Sequence, residues 1–460
     1  MNPLLEDAAR RASRYLDGLQ DRSVTPEPDA LMRLRQIDVA LAEEPRPAQD
    51  VLQQLDDLGS PAAVASSGGR FFGYVVGGTL PASIAAHWLA TAWDQNAPHP
   101  AAAPGVAAFE RTALRWIVDL LGLPPDAAGA FVSGASAANL CGLAAARHAV
   151  LASAGWDVEA QGLSGAPAVT VVVGYEVHPS VTKALGVLGF GRERLIRVPV
   201  DSQGRMCADQ FPRLSGPSIV CLQAGNVNTG AFDPFAAITE QAHRDGAWVH
   251  VDGAFGLWAQ ASPRRRHLCD GIAQADSWAT DAHKWLNVPY DSGLVFVRDR
   301  EVLRAAMGVS AAYLASSGEA ACDLTPELSR RARGVDAWAA LASLGRSGLR
   351  ELIERCCMLA QRFAQGLRAA GHEVLNDVVL NQVLVRFGDA DTTRRTIEAI
   401  QLDGTCWCGI TEWQGRTAMR ISVCSWATTA DDVDHSLAAM IQCARDCRLP
   451  SNGRSGGALS

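Results

Sequence analysis

Lysine is scarce in this chain. Of 41 basic residues among 460, only Lys183 and Lys284 are lysines, and the rest are arginines. A guanidinium stays protonated and cannot serve as an amine nucleophile, whereas a lysine amine can lose its proton and form a Schiff base. Amine chemistry is thereby confined to two positions. The sequence also lacks any run of about 18 uninterrupted apolar residues, so a membrane-spanning helix is not expected. It has no block of Lys and Arg along which a phosphate backbone could track, and its formal charge is −8, so nucleic acid is not expected as a partner. No G-x-G-x-x-G follows the first expected strand, and GVLGFGRERL (186–195) has neither the spacing nor the position for one, which sets aside a dinucleotide fold. Among the 12 cysteines, Cys406/Cys408 and Cys443/Cys447 lack a second pair at zinc-ribbon spacing. No metal site is expected, and the thiols read as small buried hydrophobes.

What is present is an ordinary globular composition, 48% hydrophobic and 20% charged, long enough for more than one core. Near the start, Leu4, Leu5, Ala8, Ala12, Tyr15, Leu16 and Leu19 fall on one helical stripe with charges between them. That pattern predicts a docking helix rather than the apolar core of a secretory signal, and hence a cytoplasmic protein. Proline-rich breaks punctuate residues 1–65, read as an N-terminal helical arm. Beyond them helical segments alternate with apolar β-branched runs at 168–178, 218–225, 248–254, 277–280 and 293–299. Such runs imply strands buried on both faces of a mostly parallel sheet, an α/β architecture whose functional residues gather at the carboxyl ends of strands. Residues 66–310 are expected to form this large domain, 311–448 a smaller α+β domain, and 449–460 a disordered tail.

Four segments carry chemistry. In TDAHKWLNVPYDSG (280–293), Lys284 sits just past a strand end. Lys183 lies about a turn beyond His178 in an expected helix and reads as a solvated lysine. VHVDGAFG ends a buried strand with Asp252, whose carboxylate is costly to bury unless it meets a cation; a protonated pyridine nitrogen would satisfy it. VVVGYEV runs into His178, whose flat ring could stack on a planar cofactor. SGASAAN (133–139) opens a helix with small residues, offering backbone N–H donors and a hydroxyl suited to a phosphate. Each feature alone has a plain structural explanation as a turn, cap or packing residue. Their order along the chain is far more specific.

SGASAAN, YEVHPSVTKA, HVDGAFG and TDAHKWLNVPYDSG, together with RFFGYVVGG (70–78), WDQNA (93–97), RRARGVDAW (330–338) and MRISVCSW (419–426), resemble the group II pyridoxal-phosphate-dependent amino-acid decarboxylases, relatives of the aromatic and glutamate decarboxylases. The resemblance spans roughly residues 1–445. It implies the type I fold of aspartate aminotransferase, bound pyridoxal 5'-phosphate, a small-molecule amino-acid substrate and a homodimer with shared active sites. It also implies decarboxylation of an L-amino acid, a carbon–carbon lyase reaction through a Lys284 Schiff base and a quinonoid intermediate. Asp252 would partner the pyridinium nitrogen and His178 would stack on the ring. Ala135, Ser136 and Ala137, with His283, would surround the phosphate, and Ala254 would lie under the ring. Asn226 falls where relatives often place a threonine near the cofactor. Phe72, Tyr74 and Arg420 would bind substrate, Arg420 matching an arginine kept for a carboxylate. A cationic ring draws electrons from the bond held perpendicular to it, so orientation by the 70–79 segment and Arg420 would select the reaction.

Two positions depart from the family pattern. The loop 315–329, ASSGEAACDLTPELS, lacks the tyrosine that relatives use to protonate the intermediate, and no tyrosine follows Tyr313, itself read as a packing residue. Cys322, Asp323, His178 or a water would have to donate instead. Asp281 stands where relatives often have asparagine, and a carboxylate so near a phosphate would need compensation. Aminotransfer, Cα–Cβ lyase or aldolase chemistry, decarboxylation-dependent oxidative deamination and a non-catalytic cofactor-binding role all stay open on the sequence alone.

Overall fold

In a computed structural model of the chain, residues 2–308 and 320–448 are described; Tyr313, residues 315–319 of the departing loop and the expected tail 449–460 lie outside them. The chain divides into two compact units, 77–358 with 376–382, and 1–76 with 359–375 and 383–460. These seams differ from the changes of sequence texture at 65 and 310. Residues 330–334 belong with the larger unit because Arg330 is bound in a two-pronged buried pair to Glu110 (2.9 and 2.5 Å) and Gly334 packs on the Glu110 backbone. The N-terminal segment belongs with the C-terminal part of the chain because Val24 N–H donates to Gly404 O (2.8 Å) and the Thr25 hydroxyl to Gln401 O (2.6 Å), both at the end of the helix Ala390–Asp403.

The larger unit is built on a seven-stranded sheet. Its strands are β1 (Ala128–Val132), β2 (Thr170–Gly174), β3 (Ile196–Val198), β4 (Ser218–Gln223), β5 (Trp248–Asp252), β6 (Ser277–Asp281) and β7 (Gly293–Val297), in the order β1-β7-β6-β5-β4-β2-β3. The neighbours from β3 through β6 are parallel, and β7 runs antiparallel to both β6 and β1. The mostly parallel sheet expected from the apolar runs is therefore present, and β4, β6 and β7 are buried along their whole length. The helix Ala135–Ser153 lies over it and can come close because its inner face is small: a Cβ on Gly142 would press on the His250 ring. At the strand ends the register sets Val132 and Asp281 on either side of Gly293. A side chain on Gly293 would collide with the Gly134 backbone, so the start of this helix is drawn down onto the end of β6.

The smaller unit has a four-stranded sheet of β8 (Glu373–Val374), β9 (Gln382–Arg386), β10 (Gly409–Trp413) and β11 (Arg416–Ser422), in the order β10-β11-β9-β8, with helices Ala390–Asp403 and Ala430–Arg448. The expected N-terminal helix forms over Pro3–Asp17 and is ion-paired through Arg11 and Arg14 to Asp56 of the helix Ala48–Ala62 (2.9 and 2.6 Å). None of its residues is fully buried, and Leu5 is 63% exposed. No helix among the described residues is long and apolar enough to cross a membrane.

Candidate active site

Asp252 is the last residue of β5 and 4% exposed. Its Oδ1 accepts the Ala254 N–H (3.1 Å), while Oδ2 accepts Asn139 Nδ2 (3.2 Å) and lies 3.4 Å from the Ser180 hydroxyl. The Asn139 amide is itself held in one orientation. Register places His250 opposite Ser277, and the Ser277 hydroxyl accepts Trp248 Nε1–H (2.9 Å), which can only donate. The Ser277 proton then goes to His250 Nδ1 (2.8 Å). Burial lowers the His250 pKa to about 4, so the ring is neutral near pH 7 and carries its single proton on Nε2, which donates to Asn139 Oδ1 (2.9 Å). The NH₂ side of Asn139 is thus turned toward Asp252. Among the described residues no lysine, arginine or histidine forms an ion pair with Asp252, which leaves a buried carboxylate served only by neutral donors and suited to an incoming cation.

His178 joins the same cluster. It caps the helix Pro179–Val187, its Nδ1 accepting Ser180 N–H (3.2 Å) and lying 2.7 Å from the Ser180 hydroxyl. An acceptor at Nδ1 puts the proton of the neutral ring on Nε2. The Ser180 hydroxyl lies between His178 Nδ1 and Asp252 Oδ2, and its single proton can be given to only one of them at a time. Lys183, on that helix, is exposed, as expected of a solvated lysine.

Lys284 belongs to the one-turn helix Ala282–Trp285 that follows β6 directly. Its Nζ is 2.9 Å from Asp281 Oδ2, and Asp281 Oδ1 accepts the Ala135 N–H at 2.6 Å. Asp281 is only 2% exposed. His283 accepts Ser292 N–H at Nδ1 (3.1 Å) and stands with its Nε2 3.7 Å from Asp281 Oδ1; burial lowers its pKa. The helix at Ala135 has no side-chain cap at Gly134, and the N–H groups of Ser136 and Ala137 have no protein acceptor among the described residues. The buried Ser292 hydroxyl beside His283 also has no partner. Open N–H groups at a helix start, an orphaned hydroxyl and a nearby imidazole form a cradle for an anion such as a phosphate.

Other expected residues fall elsewhere. Ala254 is half-buried in the turn after β5, its N–H bound to Asp252. The Asn226 side chain is committed to its own turn: Oδ1 accepts the N–H groups of Asn228 and Thr229 (2.9 and 3.2 Å), and Nδ2 donates to Glu176 (3.2 Å). In the smaller unit Phe72 is 1% exposed and meets Phe363 edge-on at 4.9 Å. Tyr74 is 66% exposed and stacks on Trp407 at 5.7 Å. Arg420 lies on β11, and burial lowers its pKa. Cys322 is buried, 3.6 Å from His99 Nδ1, and burial followed by the neighbouring Asp323 pushes its thiol pKa up, which makes it a reluctant source of thiolate.

The structure adds Asn139, His250, Ser277 and Ser292 to the surroundings of Asp252 and His283, none of them singled out from the sequence. A histidine two positions before a strand-end aspartate points to the same face of the strand, and an asparagine one turn into the helix is positioned to meet both; those spacings were the available signal.

Residues 28–387, more than half of the chain, match the pyridoxal-dependent decarboxylase conserved domain, and the chain belongs to that family. It is 29% identical over 390 residues to the aromatic-L-amino-acid decarboxylase of Bacillus atrophaeus, covering 79% of this chain and 78% of that one. It is 28% identical over 433 residues to the L-2,4-diaminobutyrate decarboxylase of Rhizobium meliloti (strain 1021), covering 89% and 82%. Its fold is that of Oryza sativa TDC solved with PLP and tryptamine, with a TM-score of 0.88 at 23% identity over 96% of this chain and 97% of that one. The protein is a pyridoxal-phosphate-dependent amino-acid decarboxylase, a carboxy-lyase. Its residues fit the cofactor: an unpaired buried carboxylate for a cationic ring nitrogen, an open anion cradle for a phosphate, and a lysine amine beside that cradle.

Proposed function

We propose that the protein removes the α-carboxylate of an L-amino acid with Lys284 as the cofactor-bearing amine, Asp252 as the partner of the ring nitrogen, His178 against the ring and the cradle of Ser136, Ala137, His283 and Ser292 around the phosphate. One observation carries this reading. The helix Ala135–Ser153 ties both ends of the site together, Ala135 through Asp281 to Lys284 and Asn139 to Asp252. Ala135 and Asn139 are four residues apart on one helical face, a rise of about 6 Å, so one rigid turn sets the separation between the amine end and the carboxylate end.

Bound pyridoxal 5'-phosphate supplies an electron sink for the carbon that loses carbon dioxide. The chain contributes placement and charge. Asp252, as an anion, favours the protonated form of a ring nitrogen placed against it, and Asn139 keeps the carboxylate aimed. His178 carries a proton on Nε2 and is the group assigned to return one to Cα. Asp281, 2.9 Å from Lys284 Nζ, would hold that lysine whenever its amine is free and protonated. The reading includes a homodimer in the cytoplasm; support for the second copy comes from apolar side chains left exposed in the N-terminal region, Leu5, Leu31, Val39, Leu41 and Leu55.

The test is a panel of L-amino acids labelled at the carboxyl carbon, with labelled gas and organic product both measured. Labelled carbon dioxide with the matching amine is the expected result. Aldehyde with ammonia, or a keto acid without gas, would overturn it.

A further inference from the structure

Asp281 links the helix start to Lys284, and its negative charge has a further consequence for the anion cradle beside it. A carboxylate that is 2% exposed spends one oxygen on the first N–H of the helix Ala135–Ser153 (2.6 Å) and the other on Lys284 Nζ (2.9 Å), with His283 Nε2 at 3.7 Å. It caps the helix from outside: Asp281 ends β6, 146 residues away in sequence from Ala135. A helix start attracts anions, and here an anion belonging to the protein already sits there. The next two N–H groups, of Ser136 and Ala137, are the ones left for a ligand. A phosphate seated on them would carry up to two further negative charges into the neighbourhood of a buried carboxylate, where screening by water is weak.

Resting on the assignment of this cradle to the cofactor phosphate, we propose that Asp281 is an internal anion that competes with that phosphate, so that the phosphate group adds less to cofactor affinity here than the cradle's donors would allow. The carboxylate is compensated by Lys284 only while that lysine keeps its ammonium group. Committing the amine to the cofactor removes the 2.9 Å ion pair at the moment the phosphate arrives, and leaves His283 and the Ala135 N–H as the remaining partners of Asp281. The consequence is a cofactor that exchanges readily with solution.

The experiment compares equilibrium binding of pyridoxal 5'-phosphate and of pyridoxal, which lacks the phosphate, to cofactor-stripped full-length protein, with inorganic phosphate titrated separately by calorimetry. Effects on the lysine amine act on both aldehydes and cancel in the ratio of their dissociation constants. Asp281→Asn, of the same shape and still able to accept the Ala135 N–H, is expected to raise that ratio in favour of the phosphorylated form by about tenfold or more and to tighten inorganic phosphate. Asp281→Glu, which keeps the charge, is expected to hold the ratio near the wild-type value. A ratio that is unchanged or falls in the folded asparagine variant would overturn the inference while leaving the cofactor site standing. Wild-type protein that attaches neither aldehyde to Lys284, as mapped by borohydride reduction and peptide mass, would overturn the site and the inference together. Should the asparagine variant fail to fold, Asp281→Ser removes the charge, keeps an acceptor and faces the same two outcomes.

Discussion

Two strand-end aspartates bond to the same helix, Asp281 at Ala135 and Asp252 at Asn139, and are buried almost equally, yet they are prepared for opposite guests. Asp252 is held by an amide, a hydroxyl and a backbone N–H, all neutral, and no cation of the described residues pairs with it. Asp281 is already ion-paired to Lys284 and bound to a helix start. The first end invites a positive charge; the second has spent its negative charge within the protein. Burial and strand position are common to both, so the difference lies in the donors that surround each carboxylate. A buried anion left without a counter-charge marks a place for a ligand, and one already paired marks a residue that must release its partner before the ligand can settle.

The comparison can be broken first at its amine. Lys284→Ala is expected to abolish turnover and cofactor attachment, because the only other lysine is exposed on a different helix, and borohydride trapping with peptide mapping checks it. Next, Asp252→Asn keeps the shape of the residue at the end of β5 while removing its charge. A fall in kcat of about 10²–10³ is expected, the scale for loss of one preorganised electrostatic group, with little change in melting temperature. Asn139→Ala strands both His250 Nε2–H and one side of Asp252. Urea unfolding should register a loss of about 1–3 kcal/mol, the range for leaving a buried polar group without its partner.

A subtler mark is the protonation of His250. Burial depresses its pKa from 6.5 to about 4, so the unfolded chain takes up this proton before the folded one does. The stability linked to the neutral ring is therefore complete above about pH 6.5 and drains away as the pH falls toward 4. Imidazole nitrogen resonances at pH 5.5 should show His250 neutral with its proton on Nε2; a charged ring at that pH would contradict the donor order traced from Trp248. The smallest effect is expected from Lys183→Ala, within about 0.5 kcal/mol in stability and without loss of cofactor attachment, which completes the contrast between the two lysines.

Much of this site was legible in the sequence, and the reasons are local. Scarcity of lysine narrowed the amine to Lys183 and Lys284, and the apolar runs closed by Asp252 and at 277–280 told where strands stop. The mostly parallel sheet followed from the same runs, while the reversal of β7 did not, since direction is set by pairing partners that no single strand encodes. The support behind Asp252 was hidden for a related reason: it depends on the register that puts His250 opposite Ser277 and on a helix that can approach only because residue 142 is glycine. Phe72 and Tyr74 illustrate how little separates core from surface. They are two residues apart in an aromatic segment, and Tyr74 is turned outward on a left-handed backbone (φ +53°) while Phe72 packs inside. The turn that holds the Asn226 side chain through the Asn228 and Thr229 N–H groups is likewise a product of folding that the motif alone does not spell out.

The claim that Asp252 stands ready for a cation is tested most directly by reconstituting the protein with pyridoxal 5'-phosphate labelled with nitrogen-15 in the ring and reading the ring-nitrogen resonance in the wild type and in Asp252→Asn. A protonated ring nitrogen in the wild type that becomes neutral in the variant is the expected result. The same protonation state in both proteins would contradict the account, because the charge on the ring would then owe nothing to the carboxylate at the end of β5.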